Sequence, residues 1–206
     1  MTSQRIAIVG MGGVFPGAAD LAGFWDNILA ARDCAQEVPA GRWVLEKQDA
    51  CVGEISPDRV NSTRACLVDP FTVDPEGLDI DREVLAGLDP LFHLLLHAGR
   101  QAWRNAVTGP LDKTRVGVII GNIVLPTDTS SAIADEILGP AFASQILNKS
   151  IPEQKRTHRL NRYVAGLPAG VLAKALGLGG GSYTLDAACA SSLYALKYAA
   201  EELLAG

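Results

Sequence analysis

One stretch near the end of the chain combines a candidate nucleophile with the small residues that a tight turn requires. Cys189 stands between a β-rich tetrapeptide, residues 182–185, and a helical pattern that begins near Leu193. A thiol at a strand-to-helix junction faces unpaired backbone N–H groups and the positive end of the helix macrodipole, and both favour the thiolate. Only alanine and serine surround it, which leaves room for a substrate. The pattern predicts a nucleophile, with a buried and unreactive cysteine as the alternative.

Two histidines form a second candidate site. His93 and His97 lie four residues apart in a segment that predicts a helix, so they could share one face as metal ligands. The residue after His93 is Leu94, where a metalloprotease helix has glutamate, and no third ligand is indicated. The pair is therefore interpreted as surface or hydrogen-bonded histidines, and no metal site is predicted.

A glycine turn near the N-terminus matches a nucleotide-binding motif only in part. The apolar run of residues 6–9 predicts a buried strand, and the turn of residues 10–13 follows it. Phe15 occupies the third glycine position of the dinucleotide motif, and Pro16 stands where the helix would begin. The glycines of residues 177–181 lack the lysine and serine or threonine of a phosphate loop. No bound cofactor is therefore predicted.

Hydrophobic periodicity predicts the elements that would position Cys189. A helix capped by Asp20 should reach Ala31, with Phe24 and Trp25 in its core face, and residues 33–89 should form a broken surface excursion with short helices. Further helices are predicted over residues 89–106, 129–149 with a break near Gly139-Pro140, 165–176, and after Cys189. Inward positions of the helix at 89–106 are Leu91, Leu94, Leu95, Ala98, Ala102 and Trp103.

The segment of residues 115–121 is the strongest strand pattern, apolar enough to be buried on both faces. In a parallel sheet its carboxyl end, from Asn122 onward, should point toward a ligand site. The polar and basic residues 153–162 indicate a solvated face that could also meet an acidic partner.

Composition restricts the class of protein. The 206 residues are 48% hydrophobic and 20% charged, which predicts a globular α/β chain. A net charge of −5 without a basic cluster argues against nucleic-acid binding. The pattern contains neither a membrane span nor a signal-peptide core, so a cytoplasmic location is predicted. Cys34, Cys51, Cys66 and Cys189 show neither zinc spacing nor a disulfide framework.

Several segments together resemble the β-ketoacyl synthase family, in the style of the ketosynthases of type I polyketide and polyunsaturated-fatty-acid synthases. Residues 186–193, DAACASSL, resemble the active-site signature, with Cys189 at the nucleophile position. Residues 6–17, Phe24-Trp25 and 38–43 resemble the family's opening, Asp89-Pro90 its Asp-Pro-Gln helix, and 116–121 its next core strand. Polyketide enzymes usually have Thr-Ala before the cysteine and Gln-Gln-Arg at 91–93, and this chain differs at both places.

The resemblance implies a fold and a reaction. The fold is α/β and thiolase-like, and residues 1–206 would be its N-terminal half only, a β-ketoacyl synthase N-terminal domain with a five-stranded mixed sheet and helices on both faces. Cys189 would accept an acyl group, with its backbone N–H as an oxyanion donor, for decarboxylative Claisen condensation in fatty acid or polyketide biosynthesis. The phosphopantetheine arm of an acyl carrier protein would deliver both substrates.

The family's two catalytic histidines and a lysine occur after the region that this chain covers. The resemblance therefore implies that the 206-residue chain requires a C-terminal ketosynthase half and does not complete the condensation by itself. It also implies a homodimer. Two alternatives remain: a non-catalytic partner subunit such as a chain-length factor, which typically lacks the cysteine, and a thiolase-fold acyltransferase that uses coenzyme A.

Overall fold

The computed structural model describes residues 5–69, 72–150 and 156–206. The chain divides into two compact units, one of Gly12–Pro70 and the other of Met1–Met11 with Phe71–Gly206. Cys189 and the elements that carry it belong to the larger unit. The prediction that residues 1–206 form a single ketosynthase domain stays a prediction.

The smaller unit contains short elements. They are α1 (Leu21–Leu29), β1 (Gln36–Glu37), α2 (Lys47–Ala50) and β2 (Arg64–Ala65), and β1 pairs with β2 in an antiparallel ladder. The predicted cap of α1 is confirmed, because the Asp20 carboxylate accepts from the N–H of Gly23 at 2.9 Å. The predicted burial of its aromatic face is wrong. Trp25 is 57% exposed, and Phe24 stacks on Phe15 with ring centroids 4.1 Å apart.

The larger unit holds the elements around Cys189. They are α3 (Arg82–Ala86), α4 (Pro90–Asn105), β3 (Val118–Gly121), α5 (Asp128–Gln145), α6 (Pro168–Leu176), β4 (Ser182–Leu185) and α7 (Ser191–Ala205). β3 and β4 pair in parallel, with Gly121 opposite Leu185. Helix α6 packs on both strands, and α7 packs on β3. This confirms the predicted strand before Cys189, the helix after it and the parallel pairing.

The prediction of a first strand at residues 6–9 is wrong in this structure. No residue of this run belongs to a strand, and Ile8 and Val9 are both 73% exposed. The chain is instead anchored just beyond it on α4, where the N–H of Met11 donates to Asn105 Oδ1 at 3.1 Å. The predicted five-stranded sheet is not confirmed in the described residues. Within the described ranges there are two sheets of two strands each.

Helix α5 continues through Pro140, so the predicted break there is wrong. A capping box starts this helix: Ser130 N–H donates to Thr127 Oγ1 at 3.1 Å, and Thr127 N–H donates to Ser130 Oγ at 2.7 Å. Proline removes one backbone donor, and an 18-residue helix retains its other hydrogen bonds. Of the basic segment predicted at 153–162, residues 153–155 lie outside the described residues. Arg162 forms an ion pair with Glu136 at 3.1 Å.

The core of the larger unit lies where α4 meets α6. Phe92 and Leu96 are fully buried, whereas the predicted inward residues Leu91 and Leu95 are only partly buried. Phe92 and Leu96 are the buried pair because they share the i, i+4, i+7 face of α4 with Gly99, and this face packs against α6. A Cβ at Gly99 would stand 2.6 Å from the methyl carbons of Leu172, so the absence of a side chain lets α6 approach.

Asp89 joins three segments of the larger unit. Its side chain is buried, caps α4 by accepting from the N–H of Leu91 at 2.9 Å, and accepts from Thr127 Oγ1 at 2.7 Å. Its own N–H donates to Asn161 Oδ1 at 2.8 Å, and Asn161 Nδ2 donates to the carbonyl oxygen of Gly87. The starts of α4 and α5 are therefore tied to the turn that precedes α6.

His93 also lies in this interior, where it is 6% exposed and its Nδ1 accepts from the N–H of Val73 at 3.3 Å. This confirms the predicted hydrogen-bonded histidine. Burial lowers the pKa of His93 below its ordinary value, against the opposing effects of the Leu85 and Leu88 carbonyl groups and the Asp89 carboxylate.

The buried His93 should make the chain less stable in mild acid. Because the pKa is lower in the folded state, the unfolded chain takes up the proton first as the pH falls below about 6.5. The contribution of His93 is therefore fully present above that pH and decreases below it. We expect the variant His93→Gln to show a smaller difference in free energy of unfolding between pH 7.5 and 5.5. Urea denaturation at both pH values measures this, and an unchanged difference would contradict it.

Candidate active site

Cys189 lies at a sharp turn between strand and helix. β4 ends at Leu185, residues Ala188–Ala190 form one 3₁₀ turn, and the 15-residue helix α7 begins at Ser191. Cys189 is exposed, and so is Cys66, whereas Cys34 and Cys51 are partly buried, and all four are free thiols. The predicted strand-to-helix junction is confirmed. The thiol is accessible directly before a helix N-terminus.

The turn contains a residue in the left-handed region. Ala188 has φ +50°, a conformation that alanine rarely adopts. Three hydrogen bonds surround it. The N–H of Ala188 donates to Asp186 Oδ1 at 2.9 Å, the N–H of Ala187 donates to Ser191 Oγ at 2.9 Å, and the Ser191 hydroxyl donates to the carbonyl oxygen of Ala188 at 2.7 Å. Ser191 is 5% exposed, so its hydroxyl is withdrawn from water.

The end of β3 lies against the start of α7. A Cβ at Gly121 would be 2.5 Å from the carbonyl carbon of Ser191 and 2.8 Å from the nitrogen of Ser192. Only glycine allows this approach without a shift of one backbone or the other. Gly121 therefore sets the distance between the β3–β4 pair and the helix that follows Cys189.

Two side chains connect the strand ends to their surroundings. The backbone N–H of Asn122 donates to the carbonyl oxygen of Leu185 at 3.0 Å, and its side-chain amide donates to the carbonyl oxygen of Val164 at 3.0 Å. Thr184 Oγ1 accepts from the N–H of Ala169 in the first turn of α6 at 3.2 Å. The prediction that the sequence from Asn122 lies at the site's edge of the sheet agrees with this placement.

The backbone N–H of Cys189 is available as a donor. Among the hydrogen bonds of the described residues, no carbonyl oxygen accepts from it, whereas the N–H groups of Ala190 and Ser191 donate to the carbonyl groups of Ala187 and Ala188. An unpaired N–H beside an accessible sulfur is the arrangement that binds the oxygen of a carbonyl under attack by that sulfur.

The three histidines are engaged elsewhere. His93 is held in the core by Val73, the side chains of His97 and Gln101 are hydrogen bonded to each other, and His158 accepts from the N–H of Leu160. In the part of the chain that the structure describes, no group of histidine, cysteine and acidic residues is arranged to hold a metal ion. Nor does a helix of the described ranges have the length and apolar character of a membrane span.

The fold around Cys189 is that of solved ketosynthases, which have the thiolase-like fold. The chain superposes on the PfaC keto synthase–chain length factor with a TM-score of 0.74 and 31% identity, covering 94% of this chain and 22% of that one. It also superposes on a ketosynthase domain of the oxazolomycin system from Streptomyces albus, OzmH KS7, with a TM-score of 0.64 and 22% identity, over 97% of this chain and 32% of that one.

Residues 3–206 match the sequence profile of the family "Beta-ketoacyl synthase, N-terminal domain", and the chain belongs to this family. Mycoketide-CoA synthase of Mycobacterium tuberculosis is 31% identical over an alignment of 213 positions, which covers 100% of this chain and 4% of that protein. Mycocerosic acid synthase-like polyketide synthase of Mycolicibacterium smegmatis is 29% identical over 96% of this chain and 9% of its own length. The chain thus spans less than a tenth of either relative. The resemblance inferred from the sequence is confirmed.

Sequence patterns identified Cys189 but assigned no role to Ser191 or Gly121. Ser191 was visible only as one of the small residues after the cysteine, and Gly121 only as the end of a strong strand. A run of small residues predicts that the backbone turns tightly. It does not predict which hydroxyl closes the turn, since that depends on the left-handed conformation of Ala188.

Proposed function

We propose that the chain is the acyl-accepting part of a β-ketoacyl-[acyl-carrier-protein] synthase, with Cys189 as the nucleophile. The observation that carries the proposal is the exposed thiol of Cys189 at the start of α7, beside its own unpaired N–H. Membership of the family and similarity to polyketide synthases support condensation in polyketide or fatty acid biosynthesis as the reaction.

In the first step, the Cys189 thiolate attacks the carbonyl carbon of an acyl thioester on a phosphopantetheine arm. The backbone N–H of Cys189 donates to the developing oxyanion, the bond from carbon to the arm's sulfur breaks, and that sulfur leaves as a thiolate that takes up a proton. The product is an acyl thioester on Cys189. The turn at Ala188 directly precedes the exposed Cys189 that carries both the sulfur and the N–H.

In the second step, a malonyl thioester on a carrier protein loses its carboxylate as carbon dioxide. The electrons of the broken bond form a carbanion, which attacks the acyl carbonyl carbon on Cys189. The new carbon–carbon bond forms as the Cys189 thiolate leaves, and the carrier keeps a β-ketoacyl chain two carbons longer. We propose that histidines of a C-terminal ketosynthase half assist the decarboxylation, because His93, His97 and His158 are engaged in other contacts.

The proposed partners follow from the same reaction. An acyl carrier protein delivers both thioesters, and the phosphopantetheine arm is a substrate group of the carrier and not a cofactor of this chain. The C-terminal half completes the site, and a second copy forms a homodimer. A soluble cytoplasmic setting fits these partners.

Acyl transfer to the chain provides the test. We expect an acyl carrier protein thioester to acylate Cys189 by at least about tenfold over each other cysteine, since an oxyanion donor is worth at least that factor. Intact-mass measurement and peptide mapping locate the acyl group. The variant Cys189→Ala should stay unmodified, and Cys66→Ala, which removes the other exposed thiol, should be acylated like the parent chain.

The same experiment separates the alternatives. Equal acylation of all four cysteines would contradict a specific nucleophile and favour a non-catalytic partner subunit. Acylation from acyl-coenzyme A but not from the carrier would favour a coenzyme A-dependent acyltransferase. Release of β-ketoacyl product from the 206-residue chain with malonyl carrier protein would show that the proposed second half is not needed.

A further inference from the structure

The hydroxyl of Ser191 has a geometry that goes beyond capping a helix. Its oxygen accepts from the N–H of Ala187 at 2.9 Å and its hydrogen is donated to the carbonyl oxygen of Ala188 at 2.7 Å. The two bonds therefore reach both sides of the one residue in this turn with positive φ. A single buried side chain closes the backbone loop that carries Cys189.

We propose that Ser191 is a positioning residue that holds Ala188 in the left-handed conformation and thereby keeps the Cys189 thiol at the start of α7. Alanine gains nothing by itself from φ +50°, so the conformation persists only because its surroundings impose it. The Asp186 side chain accepts one hydrogen bond on the N-terminal side of Ala188. Among the described residues, Ser191 is the one whose side chain donates to the carbonyl oxygen of Ala188.

The position of Ser191 is itself fixed. The end of β3 lies so close that a Cβ on Gly121 would meet the carbonyl carbon of Ser191 at 2.5 Å, and Ser191 is 5% exposed. The backbone of Ser191 is therefore held against β3, and its hydroxyl has little access to water. β3 therefore fixes the position of Ser191, Ser191 fixes the conformation of Ala188, and Ala188 fixes the position of Cys189.

Removal of the hydroxyl should release the turn. In Ser191→Ala, the N–H of Ala187 and the carbonyl group of Ala188 lose a buried partner, and Ala188 can return to negative φ. The thiol then moves away from the helix N-terminus, where unpaired N–H groups face a reacting atom that carries negative charge. We expect alkylation of Cys189 by iodoacetamide to slow by about tenfold relative to that of Cys66, the factor that corresponds to one lost hydrogen bond to a buried group.

Ser192→Ala is the matched control. Ser192 follows directly on the same helix and is exposed, so this variant should alkylate at Cys189 within about twofold of the parent chain. Unfolding of the whole chain would also expose the partly buried Cys34 and Cys51 of the smaller unit and speed their alkylation, whereas loosening of the larger unit alone would lower its urea midpoint. Mass spectrometry of all four cysteines, together with the urea midpoint of each variant, therefore separates a displaced turn from a loosened chain.

Rescue at position 188 gives the decisive readout. Glycine adopts positive φ freely, so Ala188→Gly should restore most of the Cys189 rate in the Ser191→Ala background while changing it little in the parent chain. Equal rates in Ser191→Ala and Ser192→Ala, or no recovery in the double variant, would overturn the proposal. If Ser191→Ala does not fold, circular dichroism should show that the double variant does, and an unfolded double variant would also overturn it.

The proposal rests on the proposed role of Cys189, but its test uses no acyl substrate. If acyl transfer fails but alkylation of Cys189 slows in Ser191→Ala and recovers in the double variant, the proposed function alone is contradicted. If acyl transfer occurs but Ala188→Gly does not restore the alkylation rate of Cys189 in the Ser191→Ala background, the role of Ser191 alone is contradicted.

Discussion

Replacing Gly121 with alanine should destabilise the larger unit by about 2 to 3 kcal/mol, the upper range for one methyl group forced into a packed site. The added Cβ would stand 2.5 Å from the carbonyl carbon and 2.6 Å from the carbonyl oxygen of Ser191. These are backbone atoms at the first turn of α7, so no flexible side chain can move aside. Either β3 or the start of α7 must shift. Urea denaturation followed by circular dichroism measures the loss.

Gly166→Ala is the control for this variant. A Cβ at Gly166 meets no atom within 4 Å, and neither Gly166 nor Gly121 has a φ in the left-handed region. The two variants therefore share the conformational effect of the substitution and differ only in the steric clash. We also expect Gly121→Ala to slow alkylation of Cys189, because Ser191 is displaced. Equal stabilities of the two variants would show that β3 does not set the position of α7.

Replacing Phe92 with alanine should cost about 3 to 5 kcal/mol of the free energy of unfolding, the usual range for a fully buried phenylalanine. Phe92 is 0% exposed on the face of α4 that packs against α6. The substitution removes every packing contact of the phenyl ring, and Gly99 on the same face has no side chain that could fill the space. The expected result is a lower urea midpoint for the larger unit.

Phe142→Ala is the matched control, because this phenylalanine lies on α5 and is 55% exposed. Removing an exposed ring leaves no cavity, so its effect on the urea midpoint should be small. A similar loss in both variants would mean that α4 and α6 are not the stable centre of the larger unit.

The strand-to-helix turn that carries Cys189 could be predicted from the sequence because its geometry is local. Cys189, the strand before it and the helix after it lie within a short stretch, and the pattern of β-rich, small and helical residues is readable without tertiary contacts. The same holds for the cap at Asp20, since a cap is a contact of the side chain with the next turn. The resemblance to β-ketoacyl synthases added the reaction, which the pattern alone left open.

The remaining features depend on contacts between distant residues. The apolar run of residues 6–9 predicts a buried strand, but a strand forms only where a partner edge is present, and none pairs with it here. The buried face of α4 was misplaced because periodicity does not show that Gly99 admits Leu172. The roles of Gly121 and Ser191 require a β3 backbone that is far from Cys189 in sequence. Local pattern carries no information on any of these contacts.

The buried hydrogen bonds of Asp89 have a consequence for the order of events during folding. Its partners Thr127 and Asn161 are 38 and 72 residues away along the chain. Contacts of such high sequence separation form only after long segments have been brought together at an entropic cost. Interactions made late are absent from the transition state, and their loss accelerates unfolding more than it slows folding. We therefore expect the hydrogen bonds of Asp89 to contribute mainly to the lifetime of the folded chain once α4 and α5 have met.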